Sequence, residues 1–234
     1  MTNKDVIIAL DFPDSSEAGR FLERFGEVRP FVKVGMELFY SAGPAFVSKL
    51  TEKGYKVFLD LKLHDIPNTV KRSMSVLREL GVSMTNLHAA GGTEMMKYAL
   101  EGLTSSNGER PILIAVTQLT STGGDMLKNE LLIDRSMEET VLHYAKCAKD
   151  SGLDGVVCSP LEAALVKAHC GSGFLTVTPG IRFADSGKDD QKRITTPAGA
   201  RTIGSDYIVV GRPVTAAQDP VEAYNRCRTD FSGE

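Results

Sequence analysis

Two carboxylates and an ammonium stand together at the end of an apolar run in Val57-Phe-Leu-Asp60-Leu-Lys62-Leu-His-Asp65-Ile-Pro-Asn-Thr69. Alternate residues of a strand point the same way, so Asp60 and Lys62 share one face, Leu61 and Leu63 take the other, and Asp65 follows just past the strand end. If the apolar face packs on helices, the charged face looks into whatever the strands enclose, where a charge persists only when it is paired or used. A buried salt bridge that merely fixes the fold would meet that demand, and so would a preorganised electrostatic site. Two further charges favour the site. Asp11 ends an earlier apolar run, Val6 to Leu10, and Lys33 sits inside Phe31-Val-Lys-Val-Gly35, so three successive runs deliver Asp, Lys, Asp and Lys to one place.

A second kind of chemistry lies near the other end of the chain. Val209-Val-Gly211-Arg212-Pro213 combines a glycine that admits a ligand close to the backbone, a guanidinium suited to bidentate phosphate contact, and a proline at a helix start. Upstream, Thr178-Pro-Gly-Ile-Arg182 leads into the polar stretch Phe183 to Arg193, which is either filler or a lid whose Gln191 reaches the same phosphate. Thr117-Gln-Leu-Thr120-Ser121-Thr-Gly-Gly124 is rich in hydroxyls and glycine. It reads either as a flexible turn or as a loop that hydrogen-bonds a polar ring edge.

Eight short apolar runs must position these residues: Val6 to Leu10, Phe31 to Val34, Val57 to Leu61, Met84 to Leu87, Ile112 to Val116, Gly155 to Cys158, Leu175 to Thr178 and Tyr207 to Val210. Amphipathic helical segments separate them. Such alternation implies a parallel sheet covered on both faces, and eight units close into an α/β single-domain (β/α)8 TIM barrel spanning 1–234, with its active site at the C-terminal strand ends. An open doubly wound sheet would show the same alternation, but it predicts a Gly-rich fingerprint after strand one, where Asp11-Phe-Pro-Asp14 stands instead. Helix starts are marked by the capping boxes Asp14-Ser-Ser-Glu17, Ser136-Met-Glu-Glu139 and Ser159-Pro-Leu-Glu162, and by Pro44 and Pro67. Gly26, Gly54, Gly81 and Gly152 fall where helices should stop.

Bulk properties exclude several classes. Lys and Arg total 27 against 30 Asp and Glu, and a net charge of -3 gives no nucleic-acid footprint. The N-terminal apolar run is too short for a signal h-region, and no stretch approaches a membrane span. Cys147, Cys158, Cys170 and Cys227 are scattered without zinc spacing, which suits a reduced, cytoplasmic setting. His64, His88, His143 and His169 likewise lack the spacing of a metal site.

Taken together, Lys33 in Phe-Val-Lys-Val-Gly, the Asp60-x-Lys62-x-x-Asp65-Ile-Pro-x-Thr69 signature, the Leu119-Thr-Ser-Thr loop, Thr-Pro-Gly-Ile-Arg and Val-Gly-Arg resemble the orotidine 5'-phosphate decarboxylases of the bacterial type, in the family's order and over nearly the whole chain. The resemblance implies cofactor-independent decarboxylation of orotidine 5'-monophosphate to uridine 5'-monophosphate in pyrimidine biosynthesis, without metal. Lys62 would be the proton donor, completed by Asp60, Lys33 and an Asp65 supplied across a homodimer. Asp11 and Lys33 would hold the ribose hydroxyls together with Thr69 of the partner subunit. Ser121 would contact the pyrimidine amide with Thr120 beside it. Gln191, Gly211 and Arg212 would bind phosphate, with Arg182 at the base of a closing loop over about residues 180–193.

Two rival readings remain in view. Metal-dependent sugar-phosphate decarboxylases or aldol-type synthases on related barrels share Asp-x-Lys-x-x-Asp, but they carry Glu where this chain has Lys33, and an ammonium there opposes a divalent cation. A non-catalytic nucleotide sensor would need only the phosphate end, and four charges retained in the mouth would destabilise it without return.

Overall fold

Period-two alternation sorts each apolar run into two layers. In the computed structural model, which describes residues 4–184 and 194–233, the strands are β1 (Asp5–Ala9), β2 (Phe31–Gly35), β3 (Val57–Leu63), β4 (Met84–His88), β5 (Ile112–Val116), β6 (Gly155–Val157), β7 (Leu175–Thr178) and β8 (Tyr207–Val210). All pair in parallel with their sequence neighbours, and β8 returns to β1 to close the barrel. The expected (β/α)8 barrel is therefore the observed one, with β3 running two residues beyond Leu61.

Val6 and Ile8 of β1, Val32 and Val34 of β2 and Val57 and Leu59 of β3 face outward into the large core shared with the helices. Ile7, Ala9, Phe31, Phe58, Met84, Ile114, Val177, Tyr207 and Val209 face inward and fill the barrel with a separate apolar cluster. Within it the Phe31 and Tyr207 rings meet edge to face at 6.1 Å. Side chains thus fill the barrel interior below the mouth among the described residues, which leaves room within the barrel at the strand ends.

Around the barrel run α1 (Ser15–Glu23), α2 (Met36–Glu52), α3 (Pro67–Glu79), α4 (Gly92–Leu103), α5 (Gly124–Asn129), α6 (Met137–Asp150), α7 (Pro160–Cys170), α8 (Pro197–Ile203), α9 (Arg212–Thr215) and α10 (Pro220–Ser232). Asp14 caps α1 through the N–H groups of Ser16 and Glu17, and reciprocal capping boxes close α6 at Ser136 and Glu139 and α7 at Ser159 and Glu162. Pro44 opens a helical limb as expected, although no loop separates it from the limb that starts at Met36. Gly43 (φ 72°, ψ 177°) breaks the helical path just ahead of the proline, so Pro44 begins the second limb of a kinked helix.

Candidate active site

Inward-facing positions change character toward the C-terminal strand ends, and they do so on one side of the barrel. β1 continues from Ile7 and Ala9 to Asp11, β2 goes from Phe31 to Lys33, β3 from Phe58 to Asp60, and β4 from Met84 to Asn86 and His88. β5, β6, β7 and β8 stay apolar at the same level, with Val116, Val157, Val177 and Val209. A cavity of about 150 Å³ lies between the two halves, lined by Lys33, Asp60 and Lys62 on one side and those four valines on the other. A flat ring with one polar, reactive edge fits such a division.

The charges form a row. Lys33 Nζ lies 3.1 Å from Asp11 Oδ1 and 3.5 Å from Asp60 Oδ2, and Lys62 Nζ donates to Asp60 Oδ1 at 2.7 Å. Strand register sets this spacing, because Ala9 pairs with Lys33 and Gly35 with Asp60. Gly35 also leaves the room that the row requires, since a Cβ there would stand 3.1 Å from Lys33 Nζ. Lys33 and Asp60 are each 8 % exposed. Two ammonium groups and two carboxylates alternate, Lys33 and Asp60 poorly solvated and Asp11 open to solvent, and they neutralise one another and point a fixed field at the cavity.

Burial drives the Asp60 carboxyl upward, but the charges of Lys33 and Lys62 and the hydrogen bonds from Lys62 and Asn86 outweigh it, so the group titrates below its ordinary value of 3.8. A depressed carboxyl contributes stability that is complete above that ordinary value and is lost as pH falls through the lower, folded one. Acid unfolding followed by circular dichroism should therefore be steeper below about pH 4 for the parent than for Asp60→Asn. Superimposable acid limbs would show that the row contributes nothing to stability.

Lys62 reaches the cavity by an irregular route. β3 and β4 pair at Leu59 with Thr85 and next at Leu63 with Leu87, so the register shifts and Asp60, Leu61 and Lys62 bulge opposite Asn86. Lys62 has φ of 53°, one of two non-glycine residues with positive φ among those described. A left-handed backbone costs an L-residue about 1–2 kcal/mol, and such strain persists only where neighbouring structure enforces it. The simple alternation read from the sequence does put Asp60 and Lys62 side by side, but the bulge rather than a regular strand delivers the lysine.

The remaining expected residues divide into groups. Thr120 lines the cavity, while Ser121 is exposed beside it. Gly211 sits at the rim by β1, where an added Cβ would come 3.8 Å from Asp11 Oδ2, and exposed Arg212 begins α9 next to it. Arg182 is buried, with Nη1 donating to the Ile181 carbonyl at 2.8 Å. Its backbone N–H bonds Thr195 O and Thr195 N–H bonds Gly180 O, an isolated bridge that joins the two ends of the intervening stretch. Gln191 and most of the expected closing loop lie outside the described residues. Asp65 and Thr69 are exposed. The Asp65 carboxylate accepts from the Ile66 N–H at 2.7 Å, and no ion pair ties it to Lys62 among the described residues.

Asn86, His88 and Gln118 do not stand out from the sequence as site residues. Gln118 lines the cavity. His88 lies at the end of β4, its ring 5.7 Å from that of His64, and burial, assisted by His64 and Lys62 against Asp60, holds it below the usual imidazole range. The missed signal was period two in Met84-Thr-Asn-Leu-His, which puts Asn86 and His88 on the inward face with Met84. A larger groove of about 670 Å³ runs between α1 and α2, past Glu23, Arg29 and Lys49, but none of the charged row lines it. No group of three or more His, Cys, Asp or Glu side chains among the described residues is arranged to hold a metal.

Comparison with known proteins agrees with the geometry. The model of the Orotidine 5'-phosphate decarboxylase / HUMPS family matches residues 4–227. The chain is 57 % identical to the orotidine 5'-phosphate decarboxylase of a Geobacillus species over 99 % of its own length and 98 % of the relative's. It is 58 % identical to that of Bacillus caldolyticus, over 97 % and 94 %. The crystal structure of orotidine 5'-phosphate decarboxylase from Lactobacillus acidophilus superposes with a TM-score of 0.88 at 47 % identity, covering 97 % of this chain and 99 % of that one.

Proposed function

The chain belongs to the orotidine 5'-phosphate decarboxylase / HUMPS family, and from that premise we propose how its mouth decarboxylates orotidine 5'-phosphate to uridine 5'-phosphate and CO2. The observation that carries the reading is the Asp11–Lys33–Asp60–Lys62 row facing an apolar wall. Breaking the bond from C6 to the carboxylate leaves an electron pair in an in-plane orbital that the pyrimidine ring cannot delocalise. Stabilisation must then come from fixed charge. Lys62 supplies it at the developing carbanion and afterwards gives C6 one of its protons, which solvent restores. Asp60 holds the Lys62 ammonium on one oxygen and meets Lys33 with the other, so neither lysine must reorganise during the reaction.

Asp11 and Lys33 take the ribose hydroxyls. Thr120 and Ser121 take the polar ring edge, and the four valines cover the apolar ring surface. Arg212 with the backbone at Gly211 binds the phosphate, joined by Gln191 from a loop over about residues 180–193 that closes from a base at Arg182. Phosphate contacts remote from C6 supply the binding energy that orders the site and excludes water. No cofactor enters this scheme, and nucleic acid and membrane have no part in it.

The partner is a second copy of the chain. Asp65 and Thr69 lie exposed beyond β3, and exposed apolar side chains follow in Ile66 (67 %) and, along α3, Val76 (60 %). Apolar exposure of this kind supports an isologous interface that carries Asp65 to the Lys62 of the mate. No helix of the described residues is long and apolar enough to cross a membrane. Free thiols at Cys147, Cys158, Cys170 and Cys227 support a cytoplasmic setting.

The test is incubation of the EDTA-treated protein with orotidine 5'-phosphate, following loss of orotate absorbance and release of CO2. Full turnover in chelator is expected. Activity that disappears in EDTA and returns with magnesium would move the chain to the metal-dependent sugar-phosphate enzymes.

A further inference from the structure

Asn86 is fully buried at the inward face of β4, directly against the bulge that carries Lys62. Its Nδ2 donates to Asp60 Oδ1 at 2.7 Å, and its Oδ1 accepts from the backbone N–H of Lys62 at 2.8 Å. Both partners are chemically one-way, since an ionised carboxylate only accepts and an amide N–H only donates, so the orientation of the Asn86 amide is determined. The register shift takes Lys62 out of the regular ladder, and the Asn86 side chain receives the N–H that a neighbouring strand carbonyl would otherwise take. One residue earlier, the Thr85 hydroxyl donates to Leu59 O at 3.0 Å, so consecutive residues of β4 hold the strand on both sides of the irregularity.

We infer that Asn86 is a positioning residue for the decarboxylation, the group that keeps Lys62 in its left-handed conformation and aims Asp60 Oδ1 at the Lys62 ammonium. Asp60 Oδ1 accepts from Asn86 Nδ2 and from Lys62 Nζ, each at 2.7 Å. One primary amide therefore fixes the proton donor through its backbone and through its counter-ion. No isosteric apolar residue does either, and a leucine would leave the Lys62 N–H and one Asp60 lone pair buried without partners. Serine or alanine at this position would leave the bulge free to relax toward a regular strand, which moves Nζ away from the cavity. A displacement near 1 Å at a reacting group costs about 100-fold in rate.

The inference rests on the decarboxylase reading, and the experiment separates the two. Parent, Asn86→Ala and Asn86→Asp are assayed for kcat on orotidine 5'-phosphate and for affinity for uridine 5'-phosphate, whose phosphate is held from β8. Asn86→Ala should lose about 100-fold in kcat while uridine 5'-phosphate affinity changes less than about threefold, because the phosphate end is untouched. Asn86→Asp keeps the acceptor for Lys62 N–H and regains the donor to Asp60 only when its new carboxyl is protonated. Burial and Asp60 favour that proton, Lys62 opposes it, Lys33 lies beyond Asp60, His88 and His64 stand further along the same wall, and β5 faces Asn86 with uncharged Ile114. The ratio of the Asn86→Asp kcat to that of the parent should thus rise as pH is lowered from about 8.5 to about 6.

Buried packing alone would not couple turnover to a proton in this way. An Asn86→Ala kcat within about threefold of the parent, or equal losses in kcat and nucleotide affinity, would overturn the role. If Asn86→Ala does not fold, an Asn86→Asp ratio that is constant with pH overturns it. A parent without decarboxylase activity would bring down both readings together, whereas an active parent with indifferent variants removes Asn86 alone.

Discussion

Lys62→Ala should lower kcat by at least about 10,000-fold, the upper end of what one positioned proton donor supplies, because in the proposed scheme the same ammonium also stabilises the carbanion before protonating it. Binding of uridine 5'-phosphate should change only a few-fold, since the substitution leaves Gly211, Arg212 and the apolar wall in place. The variant should keep the fold, because Lys62 is the most exposed member of the buried part of the row, with a quarter of its side chain accessible, and Asp60 retains Lys33 and Asn86. Steady-state turnover together with calorimetric binding checks both halves. Turnover within about tenfold of the parent would take Lys62 out of the proton-transfer step.

Mixing two inactive proteins should restore activity. Within one chain Asp65 accepts from the Ile66 N–H and makes no ion pair with Lys62 among the described residues, so its proposed place beside Lys62 requires the two-fold mate. Lys62→Ala and Asp65→Ala homodimers should each be almost inactive. After subunit exchange, a heterodimer has one site carrying both substitutions and one carrying neither. Random equimolar exchange makes half the dimers heterodimeric with one of two sites intact, so activity should approach about a quarter of the parent's. Exchange verified by mass or by tagged subunits without return of activity would mean that Asp65 serves its own chain.

Much of the architecture was legible in the residues alone because it depends on short periods. Apolar alternation located all eight strands to within two residues, and the capping residues at Asp14, Ser136 and Ser159 marked helix starts whose hydrogen bonds are local to a single turn. Charged residues near strand ends, Asp11, Lys33 and Asp60, pointed to a candidate site because a buried charge such as that of Lys33 or Asp60 must be paired or used. Pro44 marked the start of the second limb of α2 for an equally local reason, since Gly43 breaks the helical path just before it and proline suits a first helical turn.

Asn86 and the conformation of Lys62 required the tertiary structure. An asparagine in a buried strand reads only as an exception to apolarity, and its meaning depends on the shifted pairing of β3 with β4, which lies in neither strand's own sequence. The positive φ of Lys62 follows from that same pairing. The direction of Asp65 was also undecided by spacing, because three residues beyond a lysine can face the same cavity or the solvent according to how the chain leaves the barrel. Local propensity and periodicity determine which residues enter strands and which face they take. The contacts that strain, aim and pair those residues arise between segments brought together by folding, where register is set by the packing of the whole barrel.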